Sequence, residues 1–196
     1  MALATLEPAA RSGIGAVVAP PATAVVALGS IVMGDDGAGA AALARLEADF
    51  ELPIGIEVLD LGTPGPYFAE YLRGAEAVIV IDTVRAEGAP GKIVVYRGDA
   101  ARRPPSPRSS PHSPDLGEAL ATLAVEGLEP RHVVVIGVVP ERVAAGTALS
   151  ASVRGALPAL AALAAAELAA LGHAVVPRDR PRPALLWWEQ PRAAPA

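Results

Sequence analysis

The feature that most constrains this chain is a set of short, almost wholly apolar runs. Each is cut off by glycine, proline or a carboxylate and separated from the next by a stretch of helical length. Ala77–Asp82 (AVIVID) is the clearest. Its apolar residues leave no face for water, which is the pattern of a strand covered on both sides in a parallel sheet. Thr23–Leu28 (TAVVAL) and His132–Val139 (HVVVIGVV) repeat it, and Ile56–Asp60 (IEVLD) and Lys92–Tyr96 (KIVVY) add two more strands.

The intervening stretches read as helices. Ala38–Leu46 is alanine-rich, and Pro66–Leu72 opens with proline in its first turn. Ser113-Pro114-Asp115 reads as N-cap, first-turn proline and first-turn acid of a helix with Leu116, Leu120 and Leu123 on one face, ending at Gly127. A long helix from about Ser150 to Leu171 should kink at Pro158 and close on Gly172 as its C-cap. Alternating strands and helices predict an α/β fold: a three-layer sandwich around a mostly parallel five-stranded sheet. Residues 23–175 form the domain, 1–22 a loose Ala/Pro-rich extension and 176–196 a Pro/Arg-rich tail.

Composition narrows the chemistry. A net charge of −5 lacks the basic footprint of a nucleic-acid binder. With no cysteine, disulfides, thiolate metal sites and cysteine nucleophiles are excluded. The first 22 residues carry Glu7 and Arg11 and do not read as a secretory signal, and no unbroken apolar run has the length of a membrane span. A cytoplasmic monomer, off the membrane, is the expectation.

The chemistry-bearing segment is Leu28–Gly39 (LGSIVMGDDGAG), between the first strand and the first helix. A glycine-rich strand–helix junction can cradle phosphate, but Asp35 and Asp36 would repel it, and neither Walker A spacing nor GxGxxG is present. Asp35 is expected to cap the helix. Asp36 then starts it, where the positive helix end favours negative charge and suits a cation ligand; a second solvated cap-region acid is the equal alternative. Asp82 closes the third apolar strand, at the sheet edge where open α/β proteins place their sites. Asp60 closes the second strand before Gly62-Thr63-Pro64-Gly65 and reads as turn chemistry or a support. His112 lies at a helix mouth, where neutral imidazole, the ligand form, is favoured. His132 reads as structural and His173 as a helix cap.

Together these pieces resemble the hydrogenase maturation proteases, from about Thr23 to Leu171. The family's loop with Asp-Asp/Glu-x-x-Gly is similar to Gly29–Gly39, its Asp-x-Gly-Thr-x-Gly to Asp60–Gly65, and its Gly-Val-x-Pro-Glu to Gly137–Glu141. Its strand-end aspartate falls on Asp82 and its histidine before a helix on His112. Ala27 and Ser30 stand where the family has glycine and asparagine. The resemblance implies a phosphorylase/hydrolase-like fold and an endopeptidase that trims the C-terminal extension of a nickel–iron hydrogenase large-subunit precursor. It also implies that Asp36, Asp82 and His112 bind nickel, supplied by the substrate protein, and carry the catalysis.

Two carboxylates and one imidazole are a sound donor set for a divalent ion with open positions. Neither a GxSxG elbow nor an HExxH helix is present, so serine and ordinary zinc mechanisms are disfavoured. Metal-activated water and carboxylate assistance, the aspartyl-protease route, both stay open. The competing readings are a noncatalytic paralogue that binds the large subunit or its nickel, and a nucleotide-binding domain. The Arg102–Pro114 loop is a candidate lid, and Trp187 and Trp188 either pack on the domain or stay unstructured.

Overall fold

The computed structural model describes residues 22–103 and 115–189. The chain order is β1 (Thr23–Leu28), α1 (Ala38–Asp49), β2 (Phe50–Glu51), β3 (Ile56–Gly62), α2 (Phe68–Leu72), β4 (Ala77–Thr83), β5 (Ile93–Arg97), α3 (Asp99–Arg102), α4 (Leu116–Val125), β6 (His132–Val138), α5 (Ala151–Ala170) and β7 (Val176–Pro177). Five strands form one sheet in the order β3-β1-β4-β6-β5. All neighbours are parallel except β5, which runs antiparallel to β6. That matches the expected α/β sandwich.

Burial explains the all-apolar strands. Every residue of β1 and β4 is buried. Alternation sends Val25, Ala27, Ile79 and Ile81 to one face, under α1 and α5. Ala24, Val26, Val78 and Val80 go to the other, under α2 and α4. Each large aliphatic buried in this way stabilises the fold by roughly 1.5–3 kcal/mol.

The helices begin and end on local chemistry. Ser150 caps α5 by accepting from Val153 N–H. Asp115, not Ser113, caps α4 by accepting from Glu118 N–H at 3.0 Å; Ser113 and Pro114 lie outside the described residues. Both helices close in Schellman turns: Gly127 and Gly172, at φ 72° and 93°, take the left-handed position. Leu128 and His173 then donate back to Leu123 and Leu168. Pro158 lies inside α5 on its exposed side, and the helix continues through it. By length and composition α5 could cross a membrane, but Val153, Leu160, Ala164 and Leu168 are buried against the sheet.

Residues 176–189, read from sequence as tail, lie on the domain. β7 pairs antiparallel with β2, Arg178 and Arg182 N–H donate to Asp49 and Ala48 carbonyls, and Leu186 and Trp188 pack against the α1–α5 core. Trp187 meets Trp188 edge to face at 5.8 Å.

Candidate functional site

The site forms where the sheet's connections diverge. From β1 the chain enters α1 on one face, and beyond β4 it reaches α4 on the other. β1 and β4 are neighbours. A crevice opens at the carboxyl ends of such a strand pair, the usual ligand position in open α/β sheets. Asp36 follows β1 in a single 3-10 turn, Asp35–Gly37, and Asp82 is the penultimate residue of β4.

Thr83 joins the two acids. Its hydroxyl donates to Asp36 Oδ1 at 3.0 Å, and its backbone N–H donates to Asp82 Oδ1 at 2.8 Å. The other oxygen of Asp36 accepts Ser30 N–H at 2.7 Å. Both aspartates are only 7% exposed. A carboxylate has about four lone-pair positions, so Asp36 keeps capacity on each oxygen after these two bonds. The pair can accept protons or ligate a cation.

Two glycines let Asp36 come this close. A Cβ built on Gly29, at φ 116°, would sit 1.8 Å from the Asp36 carbonyl oxygen. One on Gly39 would sit 2.4 Å from the Leu28 oxygen and 2.6 Å from that of Ile81. The start of α1 therefore rests directly on the ends of β1 and β4, an approach that only glycine permits.

Asp35 does not cap α1, contrary to the sequence expectation. It turns away and is 1% exposed. Its Oδ2 accepts Glu141 N–H at 2.8 Å, Arg142 N–H at 3.0 Å and the Ser150 hydroxyl at 2.9 Å, while Oδ1 accepts Ser150 N–H at 2.6 Å. Burial pushes its carboxyl up, but the donors from Ser150, Arg142 and Glu141 outweigh it and hold the pKa below the ordinary aspartate value. Backbone bonds from Gly34 to Gly146, Asp35 to Arg142 and Gly146 to Val32 stitch the same two loops together. The Gly137–Glu141 stretch thus ends on the Asp35 carboxylate.

The other sequence-selected residues fall elsewhere. Asp60 is exposed, and its side chain accepts Gly62 N–H at 3.3 Å, which is turn chemistry. His132 starts β6 at the opposite, amino edge of the sheet. His173 does not use its ring to cap α5: it is 6% exposed and its Nε2 lies 2.8 Å from Thr23 Oγ1, with burial lowering its pKa. His112 lies outside the described residues. Among the described residues no group of three histidine, cysteine, aspartate or glutamate side chains could hold a metal ion.

Sequence reasoning missed Thr83 and Ser150. A hydroxyl ending an otherwise apolar strand directly after an acid is the signal that pointed to the first. A groove of about 440 Å³ lined by Val84, Arg85, Ala86, Glu87, Val139 and Pro140 opens just past this pair.

The comparisons with known proteins fit this architecture. The family model for hydrogenase maturation protease matches residues 41–167. The chain belongs to the hydrogenase maturation protease family. It is 31% identical to the hydrogenase expression/formation protein HupM of Azotobacter chroococcum mcd 1, over 81% of this chain and 77% of that one. It is 29% identical to the hydrogenase 2 maturation protease of Escherichia coli strain K12, over 79% of this chain and 95% of that one. The solved hydrogenase maturating endopeptidase HybD from E. coli superposes with a TM-score of 0.74 at 26% identity, covering 80% of this chain and 97% of that one. As a maturation protease the chain is a peptide-bond hydrolase.

Proposed function

We propose that this protease removes the C-terminal extension of a nickel–iron hydrogenase large-subunit precursor in the cytoplasm, and that it reads nickel already seated in that substrate through Asp36, Asp82 and His112. The observation that carries the reading is two buried aspartates at the sheet's switch point, one in the turn that follows β1 and one near the end of the neighbouring β4, joined through Thr83.

Oxygen and imidazole ligands without a thiolate bind a late divalent metal only moderately. This suits a protein that recognises nickel held mainly by its partner. A carboxylate within hydrogen-bond reach of the attacking water accepts its proton as the scissile carbonyl becomes tetrahedral.

The test is incubation of the purified protease with nickel-loaded and nickel-free precursor, followed by measurement of large-subunit mass. Shortening of the loaded form alone is expected. Equal cutting of both forms removes nickel recognition, and a precursor bound but left uncut identifies a noncatalytic paralogue.

A further inference from the structure

We propose that Thr83 is a positioning residue for this site, fixing the Asp36 and Asp82 carboxylates as a preformed pair. The inference rests on the functional reading above and adds a residue to it.

Thr83 is 0% exposed and closes a strand whose preceding residues, apart from Asp82, are all aliphatic. Valine would fill the same space and suits a strand equally well, so neither packing nor strand preference requires a hydroxyl here. The β-branch makes the side chain stiff, and its hydroxyl is therefore a nearly fixed point. That point donates to Asp36 Oδ1, while Ser30 N–H takes Oδ2, so both oxygens of Asp36 are oriented. The Thr83 backbone N–H meanwhile orients Asp82.

One residue thus bonds both acids, from two sides of the strand. Alternation sends the Thr83 side chain towards the α1 face and that of Asp82 towards the α4 face. The remaining acceptor capacity of Asp36 is left for a ligand. Groups that orient a ligating carboxylate commonly change metal affinity by 10–100-fold when removed.

The experiment titrates nickel(II) alone into the full chain by calorimetry for the parent, Thr83→Val and Thr83→Ser. kcat and KM on nickel-loaded precursor are measured in parallel. Thr83→Val should weaken nickel binding by about tenfold or more and lower kcat more than it changes KM. Thr83→Ser, which keeps the donor, should return both close to the parent. A folded Thr83→Val with parental affinity and kcat overturns the proposal, as does a Thr83→Ser that loses as much as Thr83→Val, or a parent that takes up no nickel. If Thr83→Val does not fold, Thr83→Ala takes its place. Should the parent bind nickel but leave the precursor intact, the functional reading fails, while the calorimetry still decides the role of Thr83.

Discussion

Asp35 and Ser150 are 115 residues apart in sequence, yet the Asp35 carboxylate accepts both the backbone N–H and the hydroxyl of Ser150, at 2.6 and 2.9 Å. Ser150 is at the same time the N-cap of α5. The loop that carries Asp36 is therefore tied to the start of the helix that covers one face of the sheet. Replacing Asp35 with asparagine turns an amide N–H₂ towards N–H donors. Asp35→Asn should cost about 1–3 kcal/mol, read by urea denaturation. Because the folded pKa is depressed, this contribution is present above the unfolded pKa and is lost as pH falls through the folded value. The gap between parent and variant should narrow in acid.

Gly39→Ala should destabilise by at least about 1–3 kcal/mol, because its Cβ would meet two backbone oxygens that cannot step aside. Gly155 has open space where a Cβ would go and lies within α5. Gly155→Ala should instead stabilise by up to about 1 kcal/mol, the helix-propensity difference. Thermal melts of the two variants give the contrast.

Asp36→Ala and Asp82→Ala should each lower the rate of precursor cleavage by about 100-fold or more if the carboxylates act on the proton or the metal. Asp36→Ala also leaves the Thr83 hydroxyl and Ser30 N–H without their acceptor, at a cost of about 1–3 kcal/mol. Cleavage measured well below the melting temperature separates the two effects.

His173 gives a pH dependence of the same sign from a basic group. Burial lowers its pKa, so the folded state binds fewer protons than the unfolded one and stability rises with pH. Its contribution is complete above the unfolded value of about 6.5 and is lost as pH falls below it. His173→Gln, which can still bond Thr23, should flatten the fall in melting temperature between neutral and mildly acidic pH.

The C-terminal segment should hold by packing more than by charge. The Arg154–Glu189 pair is bidentate but part-exposed, so Arg154→Ala should cost no more than about 1 kcal/mol. Trp188 packs on the α1–α5 core, and Trp188→Ala should cost more, about 1–3 kcal/mol. Urea midpoints of the two variants rank them.

The amino-acid sequence by itself determined the five strands of the main sheet, most ends of the longer helices and the candidate acids. Those follow from short-range rules: an all-apolar run such as AVIVID must be covered on both faces, and Gly127 and Gly172 relieve a left-handed backbone that other residues resist. Tertiary structure alone decided that Asp35 crosses to Ser150 instead of capping α1, that Thr83 joins Asp36 to Asp82, and that His173 is buried against Thr23. A carboxylate at a helix start bonds whichever donors lie nearest in space, and at Asp35 those donors come from a loop more than a hundred residues away. Local patterns hold no record of that distance, because the partner is chosen by how α1 and α5 pack on the sheet.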